Sequence, residues 1–169
     1  LQYKLEKIAQ KSLDNTKAES FTLLAVSSKT GEILSYISLP AANLNAYPQS
    51  SEIEKIDRPT CVAYEPGSVF KIFSVALFLT SNAIDETDTF FCDGKFEITS
   101  GNEKIRISCL DHHGWLTARD ALKYSCNDAI AQMSENISSD LFLHYIRSMG
   151  FGEKIGIELP AETPGSVKD

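Results

Sequence analysis

Two residues with complementary chemistry, Ser68 and Lys71, lie three positions apart at the head of a long apolar run. A serine hydroxyl attacks an amide or ester carbonyl only when a base removes its proton, and a lysine amine is one of the few side chains that can do so. Residues three apart on a helix lie on the same face and can reach each other. The pair is therefore a candidate nucleophile and general base for acyl transfer.

The surrounding residues favour a helix whose first turn carries the serine. Pro66 and Gly67 precede it, and residues 72–79 are apolar nearly all round, which is typical of a buried helix. The amino end of such a helix places backbone N–H groups and partial positive charge beside the nucleophile. The same field disfavours a protonated Lys71. A plainer interpretation, a serine cap with a lysine that snorkels to solvent, stays open at this point.

A second candidate site is Ser125-Cys126-Asn127, at the start of another predicted helix. The Ser125 hydroxyl can relay a proton, and the Asn127 amide can bind the peptide groups of a substrate, if both face a cleft. Taken alone, the tripeptide is more typical of an ordinary N-cap.

The rest of the chain predicts an α+β domain that positions these motifs. Helical periodicity predicts helices over about residues 1–14, 68–81, 117–124, 126–137 and 139–148. Thr117 with Asp120 resembles a capping box, and Gly150 suits the exit of the last helix.

One β-hairpin is predicted near the start of the chain. Residues 21–27 and 32–38 are rich in β-branched, leucine and aromatic residues, and a short turn ending in Gly31 joins them. Residues 40–66 show no clear period, which predicts a functional or a disordered loop. A two-stranded sheet is marginal alone, so we expect the sheet to be incomplete.

Composition limits the size of the domain and the kinds of partner that the chain can have. The 169 residues with 43% hydrophobic content suffice for one core, so we expect one domain over 1–169. A net charge of -7 without a basic block argues against a nucleic-acid partner. No apolar stretch reaches the ~20 residues of a membrane span, and the N-terminus lacks a signal-peptide pattern.

Together the two motifs resemble the Ser-x-x-Lys and Ser-x-Asn elements of penicillin-binding proteins and class A β-lactamases. Further segments follow the order seen in class B penicillin-binding proteins, among them Tyr64-Glu65-Pro66-Gly67, Asp111-His112-His113-Gly114 and Phe151-Gly152-Glu153-Lys154. The chain resembles the amino-terminal part of their transpeptidase domain. That resemblance implies a partial β-lactamase-like α+β fold, with an N-terminal hairpin, a helical cluster and an incomplete sheet.

The third family element, Lys-Thr-Gly, is a strand that follows Ser-x-Asn. Lys29-Thr30-Gly31 spells this element but precedes Ser68, so we interpret it as a hairpin turn without a catalytic part. We expect the true element, and a membrane anchor, to lie outside this chain. Because that strand supplies part of the family's oxyanion hole, we expect the chain alone to be a weak or inactive enzyme.

The resemblance implies a D,D-transpeptidase that cross-links peptidoglycan stem peptides through a serine acyl-enzyme. Ser68 is then the nucleophile and Lys71 its base. Ser125 relays a proton to the leaving nitrogen, while Asn127 holds the substrate amide and orients Lys71. β-Lactam antibiotics are the expected covalent ligands, membrane proteins of the division or elongation machinery are the expected partners of the full-length protein, and no cofactor is implied.

The resemblance also implies a place of action on the outer face of the bacterial cytoplasmic membrane. Two alternatives remain. One is a serine β-lactamase or β-lactam sensor, although no Glu-x-x-Leu-Asn-type element is evident, and sensors and class D enzymes carry an apolar residue where Asn127 stands. The other is a non-catalytic module that keeps the fold for binding.

The four cysteines leave a separate question open. Cys92, Cys109 and Cys126 lie in one half of the chain with His113, while Cys61 stands apart. The residue types suit a four-ligand zinc site, a Cys92–Cys109 disulfide, or free buried thiols. We assign no metal ligand from the sequence alone and keep all three alternatives.

Overall fold

A computed structural model gives the fold, and the structure describes residues 1–100 and 103–168. The chain divides into two compact units. The first comprises Leu1–Ala63 and Lys154–Gly165, and the second comprises Tyr64–Glu153 and Ser166–Asp169. Both candidate motifs belong to the second unit.

The first unit packs one helix on a β-hairpin. Its elements are α1 (Gln2–Thr16), β1 (Phe21–Val26), β2 (Ile33–Leu39), a 3₁₀ helix (Leu44–Gln49) and α2 (Arg58–Cys61). Ala9 of α1 packs with Ile37 and Leu39 of β2, and all three are buried. The hairpin and the first helix are confirmed. The aperiodic stretch after Leu39 forms short helices, which the sequence pattern did not predict.

The turn between β1 and β2 contains Lys29-Thr30-Gly31. The Ser27 N–H donates to the Glu32 carbonyl at 2.9 Å, and the Gly31 N–H donates to the Ser27 carbonyl at 2.9 Å. Gly31 has φ +76°, a conformation that glycine adopts without a steric cost. The interpretation of this segment as a hairpin turn is confirmed.

The second unit is a helical cluster with two small sheets. Its helices are α3 (Lys71–Thr80), α4 (Ala118–Lys123), α5 (Asn127–Ser134) and α6 (Ser139–Ser148). Its strands are β3 (Thr89–Cys92), β4 (Lys95–Ser100), β5 (Glu103–Ser108) and β6 (Gly114–Thr117), with β3 paired to β6 and β4 to β5, both antiparallel. The predicted α+β class with incomplete sheets is confirmed.

The core of the second unit explains why the apolar run after Lys71 is a helix. Val75, Leu77 and Phe78 of α3 are buried, and they belong to the same cluster as Ala121 of α4 and Met133 of α5. Burying side chains of this size contributes roughly 1.5–3 kcal/mol each. This packing holds α3 against the elements that carry the second motif.

The predicted helix ends are also confirmed. Thr117 and Asp120 form a reciprocal capping box at the start of α4. After α6, the Phe151 N–H donates to the Ile146 carbonyl and Gly150 adopts φ +88°, which is a Schellman end. Among residues 1–100 and 103–168, no helix is long and apolar enough to cross a bilayer.

Candidate active site

Ser68 lies in a short 3₁₀ helix, Gly67–Phe70, that continues directly into α3. Gly67 adopts φ +59°, so the chain turns sharply into the helix just before the serine. Ser68 is exposed. As the second helical residue, its backbone N–H has no intrahelical acceptor and points toward the N-terminal side of the helix. The serine therefore combines an accessible hydroxyl with a free donor for a developing oxyanion.

Lys71 lies one 3₁₀ turn after Ser68. In a 3₁₀ helix, side chains three positions apart eclipse each other, so the two residues share one side of the helix. The Lys71 ammonium is half-buried and donates three hydrogen bonds: to the Ser125 carbonyl at 2.6 Å, to the Ser125 hydroxyl at 3.1 Å and to the Asn127 amide oxygen at 2.5 Å. All three ammonium protons are engaged.

Both the nitrogen and the oxygen of the Asn127 side-chain amide make hydrogen bonds. Its amide nitrogen donates to the Ser108 carbonyl at 2.9 Å, so its amide oxygen faces Lys71. Ser108 ends β5, and this contact links the second motif to the β4–β5 hairpin. The sequence analysis missed Ser108, because a backbone carbonyl leaves no trace in residue type.

Ser125 holds a backbone conformation that is unusual for serine. Its φ is +53°, and it occupies the position after the α4 C-cap. The Cys126 N–H donates to the Ala121 carbonyl at 2.8 Å, and the Ser125 N–H donates to the Leu122 carbonyl at 3.1 Å, which together form a Schellman motif. Glycine is the usual residue at this position. A serine at this position has a strained backbone conformation, and its hydroxyl and carbonyl both accept hydrogen bonds from Lys71.

Cys126 separates Ser125 from Asn127 and is the N-cap of the next helix. Its sulfur accepts a hydrogen bond from the Ala129 N–H at 3.3 Å, so it is the N-cap of α5. It is fully buried. Ser125 therefore closes α4 while Asn127 opens α5, and no loop lies between them.

Burial lowers the pKa of Lys71 from the ordinary value of 10.5, because desolvation disfavours the ammonium. The thiolate forms of Cys109 and Cys126 act in the opposite direction. The net shift is downward, which is the direction that a general base requires.

The structure brings Lys71, Ser125 and Asn127 together by direct hydrogen bonds. Ser68 joins them through its position on the helix, and within the described residues no hydrogen bond engages its hydroxyl. Lys71 must therefore lose a proton and release one of its three acceptors before it can accept the proton of Ser68. The four residues predicted from the sequence lie in the same unit, and their catalytic roles remain predictions.

A second polar cluster lies beside this site. Cys92, Cys109, His113 and Cys126 present one sulfur or nitrogen atom each, and these atoms all lie within 4.8 Å of one another. All four cysteines of the chain are free, so the Cys92–Cys109 disulfide is not formed in this structure. The cluster has the residue types and the spacing to hold a metal ion.

The electrostatic environments of two of these thiols differ. For Cys109, burial favours the neutral thiol, but backbone N–H groups of Asp111, Asp128 and Asn127 stabilise the thiolate and lower its pKa to about 6. For Cys126, burial raises the pKa to about 12. The thiolate form is therefore favoured more at Cys109 than at Cys126.

Comparison with protein families identifies one match over most of the chain. Residues 21–169 match the family model described as the penicillin binding protein transpeptidase domain. The chain is 31% identical over 171 residues to Stage V sporulation protein D of Bacillus subtilis, and the match covers 96% of this chain and 26% of the relative. It is 27% identical to the peptidoglycan D,D-transpeptidase MrdA of Acinetobacter baumannii, over 98% of this chain and 26% of the relative. The chain thus spans about a quarter of the length of these relatives.

Solved structures share the fold. A putative peptidoglycan glycosyltransferase from Atopobium parvulum superposes with a TM-score of 0.84 at 23% identity, over 98% of this chain and 38% of that one. The transpeptidase domain of penicillin-binding protein 3 from Burkholderia pseudomallei superposes with a TM-score of 0.80 at 18% identity, over 100% of this chain and 47% of that one.

Proposed function

Because the chain belongs to the penicillin-binding protein transpeptidase domain family, we propose that it carries the nucleophile and the base of a serine D,D-transpeptidase. The observation that carries the proposal is the three-way anchoring of Lys71 by Ser125 and Asn127, one helical turn after Ser68. Its substrates are peptidoglycan stem peptides that end in D-alanyl-D-alanine, and β-lactams acylate the same serine. The protein in which the chain occurs then acts outside the cytoplasmic membrane, with cell-division or elongation proteins as partners.

Acylation begins when neutral Lys71 removes the proton of the Ser68 hydroxyl. The Ser68 oxygen forms a bond to the carbonyl carbon between the two D-alanines, and the backbone N–H of Ser68 stabilises the oxyanion. The carbon–nitrogen bond then breaks. Ser125 passes a proton from the Lys71 ammonium to the departing amine, so D-alanine leaves as a neutral amine and Lys71 is neutral again.

Deacylation reverses these proton movements with a different amine. The amine of a second stem peptide attacks the Ser68 ester and gives up a proton to Lys71 through Ser125. The new amide is the cross-link, and the Ser68 hydroxyl is restored. With a β-lactam the leaving amine stays tethered in the opened ring, and the acyl-enzyme persists.

Within residues 1–169 the sequence contains no Lys-Thr-Gly after Asn127, and only one oxyanion donor is identified. We therefore propose that the isolated chain acylates slowly, since loss of one such donor costs ~100- to 1000-fold in rate.

Labelling with a fluorescent penicillin tests the assignment. In the natural protein that contains this chain, we expect stable covalent label that is lost in Ser68→Ala and kept in Ser139→Ala, a matched change at an exposed serine that begins α6. Label that survives Ser68→Ala contradicts the nucleophile. Rapid release of hydrolysed penicillin supports the β-lactamase alternative, and absence of label in the unmodified natural protein supports a non-catalytic module.

A further inference from the structure

Three of the six distances within the cluster of three thiols and one imidazole match a tetrahedral metal site, and all six lie within 4.8 Å. The Sγ atoms of Cys109 and Cys126 lie 3.7 Å apart. The His113 Nδ1 atom lies 3.5 Å from the Cys92 Sγ and 3.7 Å from the Cys109 Sγ. A tetrahedral Zn²⁺ with Zn–S bonds of about 2.3 Å and Zn–N bonds of about 2.0–2.1 Å requires S···S edges of about 3.8 Å and S···N edges of about 3.6 Å.

Three separate segments, the end of β3, the β5–β6 connection and the start of α5, deliver these atoms to one point. Cys92 ends β3, Cys109 follows β5, His113 precedes β6, and Cys126 begins α5. A disulfide joins only two sulfurs, so it does not account for three sulfurs that meet from distant parts of the chain. It also differs from free core thiols, since a polar imidazole nitrogen lies among the sulfurs instead of an apolar side chain.

The surroundings suit ligands that carry charge. Cys92 and Cys126 are 1% and 0% exposed, so an ion among them would be shielded from water. The Ala129 N–H donates to the Cys126 sulfur at 3.3 Å, as is common for outer-shell donors to metal thiolates. The His113 ring stacks on Tyr124 with 5.7 Å between centroids, which fixes its orientation.

We propose that Cys92, Cys109, His113 and Cys126 bind one Zn²⁺ in a closed, structural site. Binding forms three Zn–S bonds and one Zn–N bond, and each thiol that still carries a proton releases it to solvent. The resulting Zn(Cys)₃(His) centre has a net charge of -1. With four protein ligands and no open position, the ion stabilises structure and performs no chemistry on substrate.

The site ties the second catalytic motif to two other segments. Cys126 lies between Ser125 and Asn127, so the ion links that tripeptide to the end of β3 and to the turn between β5 and β6. Cys126 is thereby a positioning residue for both of its neighbours. This consequence rests on the proposed function, but the metal site itself does not.

Metal content tests the site directly. The reduced natural protein, loaded with zinc chloride and desalted, is expected to retain one zinc per chain by mass spectrometry of the metal. Cys92→Ser and Cys109→Ser are expected to reduce retained zinc at least about tenfold, as loss of a ligand costs more than the 10–100-fold seen for outer-shell changes. Cys61→Ser is the matched control, because Cys61 is an exposed thiol outside the cluster, and it is expected to keep the full zinc content.

Two measurements on the unmodified protein keep the test decisive if a variant fails to fold. Replacement of Zn²⁺ by Co²⁺ is expected to give the intense visible bands of a tetrahedral thiolate complex. Native alkylation is expected to modify Cys61 alone until a chelator exposes the other three thiols. The proposal is overturned if no zinc is retained and all four thiols alkylate at once, if Cys92→Ser retains zinc fully, or if two cluster cysteines are found as a disulfide. None of these readouts depends on penicillin labelling.

Discussion

The amide oxygen of Asn127 lies 2.5 Å from the ammonium nitrogen of Lys71. This bond joins the residue that lies one turn after Ser68 to the residue that opens α5. A carboxylate in place of this neutral amide oxygen would stabilise the ammonium form of Lys71 more strongly.

Asn127→Asp is expected to slow acylation at neutral pH by about 100-fold, the lower end of what general base catalysis contributes. The new carboxylate raises the pKa of Lys71 and keeps it protonated. The rising limb of the pH–rate profile for penicillin acylation should therefore move to higher pH. Asn136→Asp, at an exposed position two residues after α5, is the control and should leave the profile unchanged. An unshifted profile in Asn127→Asp would remove Lys71 from the role of base.

The unmodified protein is expected to acylate faster as pH rises. Lys71 is an ammonium without a lone pair below its pKa and a neutral base above it. Burial lowers that pKa below 10.5, and negative charge on Cys109 and Cys126 opposes the shift. Stopped-flow acylation should show a single rising limb whose midpoint lies below 10.5, followed by a plateau. A rate that is flat or falls with pH contradicts the assignment.

Changes at Ser125 are expected to separate stability from activity. Ser125 has φ +53°, so Ser125→Gly should be more stable than Ser125→Ala by about 1 kcal/mol, since glycine adopts this conformation freely. Both changes remove the hydroxyl, and both should slow acylation by about 100-fold. Denaturant unfolding and labelling rates measure the two effects. Equal stability of the two variants would contradict a strained turn.

Gly67→Ala is expected to cost about 1 kcal/mol of stability, because φ +59° disfavours a side chain there. A Cβ atom at this position meets nothing within 4 Å, so no clash contributes. The changed lead-in should also displace Ser68 and slow acylation. Gly165→Ala, with φ +76° and equally open space, is the control: it should show a similar stability loss and normal labelling. Normal labelling in Gly67→Ala would show that the lead-in does not position the nucleophile.

The sequence predicted the first hairpin and the helices α1 and α3 to α6 because their periodicity is local. It also brought Ser68, Lys71, Ser125 and Asn127 into one hypothesis, although only the ordered family segments made the two motifs specific. The prediction of one domain over the whole chain remains a prediction.

Residues 89–117 were not predicted as strands. These strands are short, with four to six residues each, and a run of that length carries little periodic signal. The Ser108 carbonyl that orients Asn127 was not predicted, and a zinc site with Cys92 and Cys126 was only one of three alternatives for the cysteines, because both depend on strand pairing and tertiary packing. Spacing along the chain contains neither.

α4 and α5 follow each other directly, so no flexible loop separates Ser125 from Asn127. Loops usually carry functional residues and absorb insertions, but here a single added or deleted residue between Tyr124 and Asn127 would rotate α5 against α4. An insertion or deletion at this position would therefore displace the Asn127 amide from Lys71. A ligand that needs Asn127 to move must shift α5 with its buried Ala129 and Met133.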